Sequence, residues 1–477
     1  MEWFFGDYMH AWLYGDAESK RRRDAESRHG CDESAGSKSN RAGFKGYYHS
    51  ADIGKEGDFY TAVSVSRFFG ASIARYVLDM LERDELTLPL YVVEIGAHEG
   101  RLISDIYEFL GALSEGVVEH CEFVIIEPLA SMRARQLANI SAKGHKIRVA
   151  ERLKDVVSGG KIASANDVCA CGAGGAANAS IFFVSNELFD AFACELVRGD
   201  KVAFVRRESV GESIGVRESK STPESSAESK NVFQAKSSAE SARDTIIWRT
   251  IDEIEKIEAL NKVDSALATK KAESKVLDSG ILGYSTLASS ISDPSALDSI
   301  ISDSVTTRAQ TASQKAREIL DFARAHSIDE GEIPLGWRDF VDEICAFASQ
   351  FLAWRFLSFD YGDFGARGRL TLRGYSRHQA LDFGDISENL GALFGKVDLT
   401  YDVDFRLLCA LFEARGAKAI LQGRLDALLI DFGITELLES YRQYADSRSY
   451  AYEARRALSL IGGSLGERFV GICFGSK

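Results

Sequence analysis

No Cys-x-x-Cys pair occurs in this sequence, its eight histidines form no ligand-spaced cluster, and no apolar run approaches the ~20 residues of a membrane span. Basic charge is also short: 57 Lys and Arg stand against 71 Asp and Glu, a net charge of −14. Such a balance works against a nucleic-acid partner, which needs a basic footprint, and suits a protein or small-molecule substrate. The eight cysteines include one C-x-C, Cys169 and Cys171, and six others scattered among apolar neighbours. Reduced thiols in a cytoplasmic protein are expected, not disulfides or a metal site. The aromatic opening, Trp3 to Tyr14, carries Glu2 and Asp7 without a basic leader, so it is not expected to be a signal peptide.

What is present is a chain of 477 residues, 45% hydrophobic, able to bury a large core in one big domain or two. Residues 3 to 14 read as a short amphipathic helix. Two stretches, 15 to 42 and 208 to 243, are polar and built from short words such as A-E-S-K (17 to 20, 227 to 230) and R-E-S-K (217 to 220). They are too poor in apolar residues to offset the entropy of ordering and are expected to be flexible insertions. A helix is expected over Ser64 to Glu82. Strands then alternate with helices: Tyr91 to Ile95, Glu122 to Ile126, Ile147 to Ala150 and Ser180 to Ser185. The segment 244 to 353 reads as mainly helical. Arg355 to Phe359 resumes the strand series, and Ala417 to Leu421 and Arg468 to Phe474 complete it. The pattern predicts an α/β fold, a parallel sheet with a helical insertion.

The stretch Tyr91 to Leu102, Y-V-V-E-I-G-A-H-E-G-R-L, is a strand, a tight turn and a helix start. A dinucleotide fingerprint fails here, because His98 and Arg101 occupy its second and third glycine positions. Glu94, Gly96 and Gly100 instead have the spacing of the first motif of S-adenosylmethionine methyltransferases. In that motif the acid can meet the methionine amino group, and His98 takes the place of the usual middle glycine.

Around this stretch the chain resembles the MidA family of methyltransferases, which includes a mitochondrial complex I assembly factor. D-Y-M-H-A-W-L-Y (7 to 14) and G-Y-Y (46 to 48) are similar to its amino-terminal motif, and G-D-F-Y-T-A-V-S-V-S-R-F-F-G (57 to 70) to its loop and following helix. V-E-I-G-A-H-E-G-R-L (93 to 102), S-N-E-L-F-D-A-F-A (185 to 193), F-D-Y-G (359 to 362), T-L-R-G-Y-S-R-H-Q (371 to 379) and D-L-T-Y-D-V-D-F (398 to 405) follow in the family's order. Departures are His98, Val63 in place of Pro and Ala193 in place of Pro. The resemblance implies a Rossmann-like fold with a mainly parallel seven-stranded sheet and S-adenosyl-L-methionine as cofactor. It also implies arginine methylation of a protein, a respiratory complex I subunit or its bacterial equivalent.

In a parallel sheet ligands sit outside the carboxyl ends of the strands. Glu94, Gly96 and Gly100 after one strand, Glu127 after the next and Asn186 after Ser180 to Ser185 are therefore expected to hold the cofactor. Glu127 can accept from ribose hydroxyls, or serve merely as a helix-start acid. Asp58 and Thr61 cover the cofactor by resemblance; from the residues alone Thr61 or Ser64 is a helix cap. For catalysis the candidates are Glu187 and Asp190, whose carboxylates can grip a guanidinium, and His378, for substrate or proton. Open alternatives are a methyltransferase acting on another residue or a small molecule, a non-catalytic assembly factor, and a nicotinamide oxidoreductase.

Overall fold

The computed structural model describes residues 2–15, 46–49, 61–157, 176–208, 243–261, 310–365, 367–376, 379–463, 466 and 468–476. Asp58, His378 and nearly all of the two expected insertions lie outside these residues.

β1 (Glu2–Phe4) runs straight into a helix, Phe5–Tyr14. After helices Ala62–Val65 and Phe68–Glu82 come β2 (Leu90–Ile95), β3 (Cys121–Ile126), β4 (Ile147–Ala150) and β5 (Ser180–Asn186), with helices Arg101–Leu113 and Ala130–Lys143 between them. β6 (Glu195–Arg198), β7 (Lys201–Glu208), β8 (Arg243–Arg249) and β9 (Glu330–Ile333) follow, then helix Gly336–Ala348 and the long β10 (Ala353–Asp363). β11 (Arg373–Ser376), β12 (Gln379–Leu381), β13 (Asp398–Thr400), β14 (Val403–Asp404), β15 (Lys418–Arg424) and β16 (Phe469–Gly475) complete the strands.

The central sheet has the order β15-β16-β10-β5-β2-β3-β4. From β10 to β4 every pairing is parallel, and β16 lies antiparallel between β10 and β15. The two-residue β14 adds an eighth strand along the end of β10. Both faces are covered, which is why β2 and β5 are buried at every position and read as unbroken apolar runs. Alternate residues serve two cores. Val93, Ile181, Phe183 and Phe356 face Trp12, Trp337 and Val341, whereas Val92, Phe182, Val184 and Phe359 face Phe69, Leu102 and Ile106.

Three expectations need adjustment. Residues 3 to 14 are not helical throughout: Trp3 and Phe4 pair with Val205 and Phe204 of β7, and the helix starts only at Phe5. The helix expected over Ser64 to Glu82 is broken at Ser66, which is extended (φ −152°, ψ 137°) and accepts the Phe68 amide on its Oγ at 3.2 Å. The segment 244 to 353 contains helices but also β8 and β9, which join β1, β6 and β7 in a second, antiparallel sheet. That sheet turns through a hairpin at Gly199 (φ +59°) between β6 and β7.

Candidate active site

The carboxyl ends of β2, β3 and β5 open on one cavity of about 730 Å³. Its first wall is the turn after β2. Gly96 and Gly100 both have φ +75°, and a β-carbon on Gly96 would stand 3.1 Å from Leu188 Cδ1. Such a position needs glycine both for its backbone and for the close approach. His98 shares the left-handed geometry (φ +45°), so the residue in the motif's usual glycine place is conformationally costly there. Glu94 is buried and accepts the Ile103 amide on Oε2 at 3.0 Å, tying the strand end to the helix Arg101–Leu113. Burial pushes its carboxyl up to about 8, against the opposing pull of that amide.

Glu127 sits one residue beyond β3, buried, with Oε1 accepting the Leu129 amide at 2.8 Å. Burial raises its carboxyl above the ordinary range. Gln136, wholly buried in the helix Ala130–Lys143, donates from Nε2 to the His98 carbonyl at 2.9 Å and to Glu127 Oε2 at 3.3 Å. It therefore couples the first two strand ends. The sequence reading missed it; a glutamine at a buried register of an amphipathic helix was the available signal.

The third strand end is the turn from Asn186 to Ala191, whose backbone is pinned by side chains from distant segments. The Glu187 amide donates to the Phe359 carbonyl at 2.9 Å, and the Leu188 and Phe189 amides to Asp360 Oδ2 at 3.2 and 3.0 Å. The Phe189 carbonyl accepts from Trp337 Nε1 and the Tyr401 hydroxyl, each at 3.0 Å, and the Ala191 carbonyl from the Tyr14 hydroxyl at 3.1 Å. Held this way, Glu187 keeps φ +54°, uncommon for a residue with a side chain. Asn186 donates from Nδ2 to Glu187 Oε1 at 2.9 Å, while its buried Oδ1 has no partner among the described residues.

Glu187 is pushed up to about 8, by burial first and then by the nearby Asp190. Burial brings Asp190 to about 6, with Arg373 pulling it back. Tyr14, Tyr48 and Asp398 complete this side: the two rings lie 5.3 Å apart, and the Tyr48 hydroxyl donates to Asp398 Oδ1 at 3.0 Å. None of the three was a candidate from sequence, although Tyr14 and Tyr48 stand in the quoted amino-terminal motif. Thr61 lines the cavity and also caps its helix, with Thr61 and Ser64 exchanging side-chain to amide bonds. The structure thus gathers Glu94, Gly96, Glu127, Asn186, Glu187, Asp190 and Thr61 at one cavity, with Gly100 starting the helix behind it.

These residues suit S-adenosylmethionine. A glycine cradle, buried acceptors on Glu94, Glu127 and Asn186, and a turn that admits backbone contact match an ammonium, a ribose diol and a close-lying sulfonium.

No curated protein matches the chain. A family model described as "Putative S-adenosyl-L-methionine-dependent methyltransferase" matches residues 72–422. Among solved structures, a COG1565 superfamily member from Burkholderia thailandensis bound to S-adenosyl-homocysteine is 17% identical with a TM-score of 0.55, over 100% of this chain and 88% of that one. A native structure of a COG1565 superfamily protein from the same organism is 18% identical with a TM-score of 0.56, over 100% and 87%. At that identity the two structures speak to the fold; the family match spans most of the sequence. The chain belongs to this family of S-adenosylmethionine-dependent methyltransferases, the MidA family, and its cofactor is S-adenosyl-L-methionine.

Proposed function

We propose that the protein transfers the methyl group to an arginine of a protein partner. The observation that supports this most is the composition of the cavity lining. Glu187, Asp190 and Asp398 line it together with Tyr14 and Tyr48, whose rings lie 5.3 Å apart. Carboxylates and tyrosine rings together favour a cation, and a guanidinium can meet two carboxylates at once. Residue by residue, Glu94 would take the methionine ammonium, the Gly96 backbone would admit the cofactor closely, Gly100 begins the supporting helix, and Glu127 would take the ribose hydroxyls. Asn186 Oδ1 and Thr61, which also line the cavity, would complete its hold on the cofactor. Asp58 and His378 join this proposal by resemblance, as cofactor cover and substrate contact.

Bound S-adenosylmethionine supplies a methyl group already activated by its sulfonium. The protein's task is then alignment and charge placement. A protonated guanidinium has its lone pair delocalised. Glu187, with Asp190 beside it, draws the positive charge to one end of that cation and leaves the far nitrogen free to attack. By resemblance the partner is a respiratory complex I subunit or its bacterial equivalent. The test is incubation of cell extract with labelled S-adenosylmethionine and mass spectrometry of the labelled protein. Methyl groups on arginine support the proposal, and methyl groups on lysine or a small molecule refute it.

A further inference from the structure

Under the Asn186 to Ala191 turn lies Asp360, wholly buried in β10 and not used in the reaction as read above. One of its oxygens, Oδ2, takes both the Leu188 and Phe189 amides. The other, Oδ1, has no N–H or O–H donor among the described residues, yet Asp360 and Asp190 are within hydrogen-bonding reach of each other. An acceptor facing an acceptor is repulsive in a buried site unless a proton lies between them. The surroundings say where that proton stays. Arg373 favours a charge on Asp190, while burial, Asp190 and Glu187 all disfavour one on Asp360. Asp402, which opposes a charge on Asp190, is itself paired with Arg373. The hydroxyls facing the pair, those of Tyr14, Tyr48 and Tyr401, are all shifted upward by burial and remain protonated.

We propose that Asp360 is a positioning residue: it retains a proton shared with Asp190, and through its second oxygen clamps the two amides of the turn that presents Glu187. One buried side chain thereby fixes both the backbone of the turn and the direction of Asp190. The clamp rests on the methyltransferase reading only in that Glu187 stands at the reacting end. Leu188, whose side chain lies against Gly96, carries the same constraint to the cofactor side.

Asp360→Asn separates the two functions. Its amide oxygen still accepts from Leu188 and Phe189, and its NH2 replaces the shared proton with hydrogens that do not titrate. Unfolding at pH 7 frees carboxyl groups that titrate near 4, so the wild type must release the shared proton on unfolding. Proton release into weakly buffered denaturant, followed with a pH indicator, should be one proton smaller in Asp360→Asn. Hydrogen exchange of the Leu188 and Phe189 amides should remain slow in Asp360→Asn and accelerate at least ~10-fold in Asp360→Ala, which removes the acceptor of both amides among the described residues. S-adenosyl-homocysteine binding should survive in Asp360→Asn. An unchanged proton count in Asp360→Asn would overturn the retained proton, and unchanged exchange in Asp360→Ala would overturn the clamp. Should Asp360→Ala not fold, the proton count in Asp360→Asn decides. All of these readouts are independent of methyl transfer, so a wrong acceptor assignment would leave them intact.

Discussion

Replacing Glu187 by Gln preserves its volume and removes its charge at the point where the guanidinium is proposed to bind. Its carboxylate already accepts from Asn186 Nδ2 at 2.9 Å and from the Ala62 amide, and the Gln amide oxygen can keep the first of these, while the backbone bonds that pin the turn do not involve this side chain. The turn should therefore stay folded and S-adenosyl-homocysteine should still bind. What is lost is attraction to the substrate cation, about 4 kcal/mol for unit charges 4 Å apart at an effective dielectric of 20. Part of that remains through Asp190 and Asp398, so a loss of ~10²- to 10³-fold in turnover is expected, the scale of one missing electrostatic contact.

The same substitution carries a pH signature. Burial and Asp190 push Glu187 up to about 8, so in the free protein it is largely protonated at neutral pH and gains charge as pH rises. For wild type, kcat/KM should climb with pH toward a plateau above about 8. In Glu187→Gln this limb should vanish. Glu94 also titrates at about 8, but it lies on the cofactor wall, so its ionisation should appear in S-adenosyl-homocysteine affinity for both proteins. The assay is steady-state methylation of the labelled substrate at a series of pH values, with calorimetry of S-adenosyl-homocysteine alongside. Full activity in Glu187→Gln, or an identical pH limb in both proteins, would refute the mechanism.

Gly96→Arg should abolish S-adenosyl-homocysteine binding, because even a β-carbon meets Leu188 at 3.1 Å and the backbone is left-handed; calorimetry with wild-type affinity would refute the cradle. Gln136→Leu should weaken that binding about 10-fold by releasing the His98 carbonyl and Glu127, each bond being worth roughly 1 kcal/mol. Raising pH from 6 to 9 should lower thermal stability. Glu94, Glu187 and Glu332 are shifted up to between about 7 and 8, so their contribution is complete below the unfolded carboxyl range and is lost as pH passes those values. A melting temperature that rises across this window would contradict the burial of these groups. Deleting 210 to 241 should leave stability and cofactor binding nearly unchanged: Glu208 and Arg243 are already paired partners across β7 and β8, and loop closure changes by only about 0.6 kcal/mol per doubling of length. Circular dichroism melts of the deletion check this.

The sheet and one side of the site were legible because their signals are local. β2, β3 and β5 announce themselves as apolar runs ending in Glu94, Glu127 and Asn186, and the glycine spacing of a tight turn survives in any context. The antiparallel sheet was not. β7 and β8 are separated by a low-complexity stretch, β7 is buried at four successive positions without alternation, β9 is four residues long, and β1 is three residues of an apparent helix. The acceptor side of the cavity failed to show for a different reason. Apart from Glu187 and Asp190, which were candidates from sequence, its residues Tyr14, Tyr48 and Asp398 meet only after the chain has folded, and a tyrosine in an aromatic helix reads as core until its hydroxyl is seen reaching the Ala191 carbonyl. Gly362 shows the same limit. A β-carbon there would lie 2.1 Å from the Val403 carbonyl, a requirement set by β14 and invisible in F-D-Y-G.

The electrostatics of the cavity bear on release as well as on binding. Glu94 and Glu187 both line the cavity, and burial pushes each carboxyl up to about 8, which favours the neutral form until a cation arrives. An uncompensated buried carboxylate is costly, so each group ionises only as its own positive partner docks. In the proposed reaction the sulfonium charge disappears when the methyl group moves, and the methylated guanidinium, briefly doubly charged, must shed one proton to return to a single charge. Glu187, ionised once the substrate cation has docked, can receive it from the guanidinium, and burial, which pushes its carboxyl up in the free protein, favours its neutral form again. Once protonated, Glu187 no longer offers the methylated guanidinium a charge. The carboxylate that draws the substrate in thus loses its hold at the step that makes the product, so the product leaves a neutral Glu187 behind.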